Sequence, residues 1–434
     1  MKVAFVYMNH TNNVGAGAGY VAAAARDAGH DVVFFDTFVW PEPEIIGQLS
    51  QMRFDVLMIS TVAPFFGEAL QLIRSVKKKI NIPVLMGGSH PTAVGARTLN
   101  NHPEIDYVCV GEGEAMVSDF LAALSLRDFS GVSNLAYRVS GKIRQNPVAP
   151  PQDLSKLPPF PWEFFSNESV VLSELPGIRY IYVMATRGCP FKCSYCANSA
   201  YLDLYGKQYL RFRPISDVIE DLKYLYDRYS PNAFYFGDEM MLSDKHYARE
   251  LFTATHREIG LPYGCMARVE MVDYELIRHM AVTGCHYIGM GIECGDQKFR
   301  YEFLNRKMSN TQIKRAFALA KEAGIYTLSF NMIGFPVEYD EELTEATVNL
   351  NLDINPGFAS FSIFYPIPGT RLYQYCVDCD LIDREKERLV KDYADESILR
   401  GISLSQKKKE IEAFVNAECF NPNLRARAKI SSQN

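Results

Sequence analysis

The residues with most chemistry to offer lie in one stretch, TRGCPFKCSYCANS, where Cys189, Cys193 and Cys196 follow the spacing C-x3-C-x2-C. Three thiolates this close together, on a loop just past an apolar strand, can wrap one metal centre. The ligand count separates the possibilities. A structural zinc ion takes four closed ligands, and its motifs come as two spaced pairs. A cubane [4Fe–4S] cluster held by three cysteines leaves one iron open, and an open iron is a site for chemistry. A zinc knuckle or chance buried thiols are the plainer alternatives. The chain has 10 cysteines. Of the rest, Cys109, Cys265, Cys285, Cys294 and Cys419 stand in apolar or mixed surroundings and read as packing residues. Cys376 and Cys379 form a second C-x2-C, suited to an auxiliary cluster or a redox pair but lacking a partner motif.

The elements around the triad form two alternating series. Apolar strand patterns at 2–8, 31–37, 54–60, 82–87 and 106–111 alternate with helical patterns at 20–28, 66–79 and 115–124. Strands that read as continuous apolar runs between helices imply a parallel sheet covered on both faces, a doubly wound α/β unit. A hairpin pattern at 131–145 and six prolines within 147–161, read as a linker, separate it from a second series. There the strands fall at 180–186, 233–239, 263–268, 287–293, 326–334 and 359–367, with no antiparallel edge expected. Six βα repeats close into a barrel or partial barrel whose chemistry sits at the C-terminal strand ends. The cysteine triad follows the first of these strands.

With an aromatic residue, Tyr195, just before the third cysteine, the triad resembles the signature of the radical S-adenosylmethionine enzymes. Further motifs arrive in the family's order. Gly237, Asp238 and Glu239 stand where the family has the acidic motif that receives the methionine amino group. Arg268 matches an arginine often found against the cofactor. GIECG, with Glu293, resembles the GIESG element, and GFP, with Gly334 and Pro336, resembles the GxP motif that helps hold the adenine. The resemblance spans about residues 178–375. It implies that Cys189, Cys193 and Cys196 hold a [4Fe–4S] cluster whose open iron chelates S-adenosylmethionine. Reduction by an external donor of the flavodoxin or ferredoxin class then gives a 5′-deoxyadenosyl radical.

Two ligands compete for the first unit. GAGAG (15–19) with Asp36 suggests a nicotinamide fingerprint, but Tyr20 occupies the place of the third glycine and the loop starts late after the strand. MGGSHPT (86–92), DYVCVGEGE (106–114) and NVGAGAGYVAAAARDAGHDV are similar instead to the cobalamin-binding domains fused before radical S-adenosylmethionine barrels. That resemblance places Asn13, Val14 and Gly15 in the first loop and Glu112 and Gly113 in the last. Gly87 and Gly88 would admit a dimethylbenzimidazole tail, and Ser60 and Thr61 would hydrogen-bond it. No D-x-H-x-x-G motif is present, which implies base-off cobalamin with no histidine below the cobalt, and His90 is the residue that complicates this.

Together these readings predict a cobalamin-binding-like Rossmann unit (1–140), a proline-rich linker (141–177), a partial (β/α)6 barrel of the TIM type (178–375) and a helical C-terminal segment (376–434). The activity implied is methylation of an unactivated carbon, or of phosphinate phosphorus, on a small-molecule substrate. One S-adenosylmethionine serves as methyl source and a second as radical source. Related architectures instead perform oxidative cyclisation, ring contraction or carbon–carbon bond formation, and a non-catalytic cobalamin module is the alternative outside enzymes. Tyr235, Tyr287, Phe361, Phe364 and Tyr365 at strand positions hint at a flat substrate, and Arg371 at a substrate anion or a helix cap. A net charge of −6, with basic runs only at Lys77–Lys79 and Lys407–Lys409, gives no footprint for nucleic acid. The absence of a long apolar run or a secretory pattern leads to the expectation of a cytoplasmic, oxygen-poor setting without a membrane span.

Overall fold

The computed structural model describes residues 1–10, 14–175, 178–386, 396–402 and 404–420. In the first unit, β1 (Lys2–Tyr7), β2 (Asp31–Asp36), β3 (Val56–Ser60), β4 (Val84–Gly87) and β5 (Tyr107–Cys109) run parallel in the order β2-β1-β3-β4-β5. The hairpin β6 (Leu135–Val139) and β7 (Lys142–Gln145) continues this sheet antiparallel from β5. Helices cover both faces, and the order reverses between β1 and β3. That reversal opens a crevice at the C-terminal strand edge, where such sheets bind ligands.

The second sheet is built from β8 (Leu172–Leu175), β9 (Ile178–Val183), β12 (Ala233–Phe236), β13 (Tyr263–Ala267), β14 (Cys285–Glu293), β15 (Tyr326–Ile333) and β16 (Phe358–Ile363). A small ribbon of β10 (Thr186–Arg187) and β11 (Arg211–Phe212) stands apart from it. The strand order is β16-β15-β14-β13-β12-β9-β8, a curled half barrel. The six parallel strands are those expected. The antiparallel edge is a correction, because β8 pairs antiparallel with β9. Several helices start where a side chain satisfies free N–H groups. Asp244, Asp273 and Asp296 each accept from the first turn they precede, and Ser309 with Gln312 forms a capping box.

The proline-rich stretch is packed rather than free. Phe160, Trp162 and Phe165 are buried with Tyr20 of the first unit and with Ile181, Val183 and Leu222 of the second, so the strap welds the two units through one apolar core. At the other end, helix Ser405–Phe420 closes the barrel edge by packing against β16. Among the described residues no helix is long and apolar enough to cross a membrane.

Rings and glycines interlock inside the half barrel. Tyr182, Tyr235 and Tyr287 stand side by side on β9, β12 and β14, with the Tyr235 and Tyr287 rings stacked at 4.9 Å. Gly264 on the intervening strand leaves the room. A Cβ there would lie 2.4 Å from Tyr287 and 2.9 Å from Tyr235. Phe361 and Phe364 are likewise core residues. Because the rings are locked on both sides, Gly264→Ala is expected to lower stability by about 1–3 kcal/mol. Denaturant titration measures this, and Gly264→Ala combined with Tyr287→Leu should recover part of the loss.

Candidate active site

After β9 the chain turns at Gly188, whose φ is +102 and where a Cβ would lie 2.3 Å from the Tyr209 carbonyl oxygen, so only glycine fits. Cys189, Cys193 and Cys196 follow, the first two buried and the third partly so. The loop is pinned from outside by backbone bonds from Ser194 to Leu304 (3.1 Å) and from Leu372 to Ser194 (2.9 Å). Burial pushes the Cys189 thiol up to about 12 and that of Cys196 to about 11. The neighbouring backbone N–H groups of Phe191 at Cys189 and of Asn198 at Cys196 offset part of that rise. Cys193 Sγ accepts from Arg268 Nη1 at 3.2 Å. Among the described residues no three His, Cys, Asp or Glu side chains converge on a single-ion site. A cubane puts each thiolate on a separate iron, so its sulfurs stand farther apart than the ligands of one ion.

Two buried arginines flank the loop. Arg268 bonds Glu270 at 2.6 Å and lies over the Phe191 ring at 3.8 Å. Arg306 donates to Tyr195 Oη (3.2 Å) and to the Gly291 carbonyl (2.6 Å), and stands 3.4 Å from Glu293. Glu293 itself is held at φ +70, a left-handed conformation rare for a side chain of its size, at an irregularity in the β14–β15 pairing. Arg306, within NRKM, belongs to no motif and was not anticipated.

A cavity of about 440 Å³ opens between the units beside this loop. From the first unit Gly15, Ser60, Gly87, Gly88, Glu112 and Gly113 line it, and from the second Arg187, Asn198, Tyr201, Tyr209 and Glu239. Its inner part is an apolar slot between the sheet and two helices, walled by Phe5, Met58, Leu85, Cys109 and Val117. Gly88 has φ +105, and a Cβ there would lie 2.2 Å from the Thr61 carbonyl oxygen. A Cβ at Gly87 meets nothing closer than 3.5 Å, so alanine there fills the slot without distorting the fold. The Glu239 carboxylate lines the cavity and is exposed within it. Desolvation by the surrounding protein raises its pKa, partly offset by neighbouring backbone N–H groups, including that of Gly188.

The units are tied at this cavity by buried ion pairs. Glu112 pairs with Arg211 and stands 3.4 Å from Arg187, while Glu114 stands 2.7 Å from Arg187. Glu112 also accepts from the Gln152 N–H at 2.7 Å. Arg187 lies two residues before Cys189 and is also a cavity wall. Neither arginine was singled out from the sequence, although Arg187 sits in the TRGCP run itself.

Several anticipated residues do not reach the cavity. Asp238 is a brace. Its Oδ1 accepts from Ala185 N (2.9 Å) and Thr186 Oγ1 (2.6 Å), its Oδ2 is buried without a partner, and burial raises its pKa to about 7. Gly237 faces the Tyr182 ring and Gly334 faces Leu404, while Pro336 is buried beside Phe335, away from the cavity. Thr61 donates to the Val62 carbonyl. His90 stacks on Phe66 at 3.9 Å, with its pKa lowered to about 3 by burial and by His102, and does not line the cavity. Val14 lines a neighbouring cavity of about 280 Å³, and Asn13 lies outside the described residues. Arg371 donates to the Glu302 and Phe303 carbonyls, capping the end of helix Gln297–Glu302. Cys376 is buried in an apolar core while Cys379 is exposed, and Cys109 walls the cavity rather than only filling space.

A cysteine triad follows the first barrel strand, and a glycine-lined slot opens at the switch point of the doubly wound sheet, with Arg187 and Asn198 on either side of the triad reaching the same cavity. A B12 binding domain model matches residues 12–121 and a Radical SAM superfamily model residues 183–347. The chain belongs to the cobalamin-dependent radical S-adenosylmethionine enzymes, whose cofactors are cobalamin, a [4Fe–4S] cluster and S-adenosylmethionine. An uncharacterized methyltransferase of Pyrococcus horikoshii is 29% identical over 376 residues, covering 84% of this chain and 79% of that protein. The anaerobic magnesium-protoporphyrin IX monomethyl ester cyclase of Rubrivivax gelatinosus is 25% identical over 413 residues, covering 90% and 73%. The structure of the radical S-adenosylmethionine methyltransferase TsrM from Kitasatospora setae, with cobalamin and [4Fe–4S] cluster bound, shares the fold with a TM-score of 0.69 at 17% identity, covering 88% and 78%.

Two outcomes follow from the ion pairs. Arg187→Met leaves the buried Glu114 without its partner, while Glu112 keeps Arg211, and should cost roughly 3–5 kcal/mol in denaturant unfolding. Burial alone would raise the Glu112 pKa, but Arg211 and Arg187 outweigh it and hold it below 4.5. Its contribution to stability is therefore complete above about pH 4.5 and is lost as pH falls through the depressed folded value. Glu112→Gln should flatten the acid limb of the stability profile.

Proposed function

We propose that this chain methylates an unactivated carbon, or a phosphinate phosphorus, of a small molecule by radical chemistry. When bound, the cluster supplies the electron that cleaves S-adenosylmethionine to a hydrogen-abstracting radical, and the corrinoid supplies the methyl group. One observation carries the reading: a single cavity has the glycine slot of the first unit on one side and, on the other, Glu239 with the residues that flank the cysteine triad in sequence, Arg187 before it and Ala197 and Asn198 after it.

Roles follow from these positions. Cys189, Cys193 and Cys196 hold the cluster. Glu239, exposed to the cavity, pairs an ammonium group in place of Asp238. The slot past Gly87 takes a planar heterocycle, with Ser60 at its rim to donate or accept. His90, buried, neutral and turned elsewhere, is not a ligand below the cobalt, which agrees with base-off binding. Tyr201 and Tyr209, stacked at 5.4 Å, wall the cavity and help keep water from a reactive radical. The electron comes from an external carrier of the flavodoxin or ferredoxin class, and the chain works in an oxygen-poor cytoplasm.

Anaerobic reconstitution with iron, sulfide and cobalamin, followed by incubation with S-adenosylmethionine, a low-potential reductant and candidate small-molecule substrates, tests the function. Both 5′-deoxyadenosine and S-adenosylhomocysteine are expected, with Cys193→Ala abolishing the first. Formation of 5′-deoxyadenosine alone refutes methyl transfer in favour of cyclisation or another radical reaction. Formation of neither refutes the enzyme reading. Gly87→Leu should keep the fold, by unchanged circular dichroism, and lose at least tenfold in cobalamin affinity.

A further inference from the structure

The three cluster cysteines are not equivalent. Cys189 and Cys196 have only neutral backbone N–H groups of Phe191 and Asn198 beside their sulfurs. Cys193 accepts from a charged guanidinium, Arg268 Nη1, at 3.2 Å. Two of the three guanidinium nitrogens are engaged, while the buried Nε has no partner. Nη2 bonds Glu270 at 2.6 Å, the guanidinium plane lies 3.8 Å over Phe191, and Arg268 is only 7% exposed. Phe191 is also the residue whose N–H stands beside Cys189, so one ring couples the arginine to the loop it serves. Burial would raise the pKa of Glu270, but Arg268 outweighs it and holds the carboxylate ionised. The arrangement is a fixed positive charge on one sulfur, moderated by a fixed negative charge behind it.

We propose that Arg268 sets the reduction potential of the cluster through its charged hydrogen bond to Cys193, with Glu270 trimming the effect. The inference rests on the reading of the triad as cluster ligands and is independent of methyl transfer. Reduction adds one electron, delivered by an external low-potential carrier, and breaks no bond. Charge and hydrogen bonds at the sulfurs are among the factors that tune such potentials. A cation on the sulfur favours the more negative, reduced state, and low local dielectric strengthens that preference. Arginine suits the place because its planar fork serves sulfur, carboxylate and ring together, which a lysine ammonium cannot.

Potentiometric titration of the reconstituted full-length protein, followed by electron paramagnetic resonance without S-adenosylmethionine, tests this alongside iron content. At the wild-type midpoint, Arg268→Gln should lower the ratio of reduced to oxidised cluster at least tenfold, a 59 mV drop for a one-electron couple. Arg268→Lys should recover part of that shift. Glu270→Gln should move the midpoint the other way, because it removes the trimming charge and leaves the guanidinium on the sulfur. A merely structural arginine would change iron content and leave the midpoint alone, so a fully loaded Arg268→Gln protein with the wild-type midpoint overturns the proposal. If Arg268→Gln holds no iron, Arg268→Lys and Glu270→Gln carry the test, and unchanged midpoints in both overturn it. A wild-type chain that takes up no iron overturns the cluster reading, and this inference with it.

Discussion

Everything at the candidate site depends on how two sheets from different parts of the chain are held face to face, and buried charge does the holding. Glu112 and Glu114 leave the last parallel strand of the first sheet, while Arg187 and Arg211 sit on the small ribbon beside the cysteine loop. Charges withdrawn from water need close partners, so the pairs tolerate little sliding or rotation. Apolar contacts alone would be less particular. The strap residues Phe160, Trp162 and Phe165 add area to the joint, but a ring can slip by an ångström at small cost, whereas a buried ion pair cannot. Arg187 is the pivotal residue, because it is at once a partner in the joint, a wall of the cavity and a near neighbour of Cys189.

The same economy appears around the cysteines. Gly188 lets the loop turn tightly against Tyr209, backbone bonds from Ser194 to the segment near Leu304 anchor its outer side, and the two arginines close its inner side. The half barrel beneath is packed by rings over glycines rather than by the branched side chains usual in barrels. That leaves a stiff floor and puts polar residues at the strand ends, where the open face meets the first unit.

Much of this was legible in the sequence. The order of strands and helices, the triad and the glycine slot all rest on local patterns, namely apolar periodicity, cysteine spacing and paired glycines. What escaped depended on distances between residues far apart in the chain. Arg306 reads as one more surface charge until folding sets it against Tyr195 and Glu293. The carboxylates of VGEGE are plausible as cofactor contacts until Arg187 and Arg211 meet them from more than seventy residues away. Asp238 and Glu239 are adjacent, and only the structure shows that the first braces a corner while the second reaches the cavity. The prolines of 147–161 lie between the two sheets, yet composition could not show that the rings among them would be buried and join the units. β8 was missed because four residues paired antiparallel at an edge leave little periodic trace.

The central claim is that one cavity sets the glycine slot against the residues flanking the cysteine triad, held rigidly enough for two cofactors to work on one substrate. The most direct measurement is the electron paramagnetic resonance spectrum of the protein carrying both cob(II)alamin and the reduced cluster. The account predicts a spectrum split or broadened by magnetic coupling between the two centres, and relaxation faster than in protein carrying either centre alone. A spectrum equal to the sum of the two separate ones would place the cofactors too far apart and contradict it.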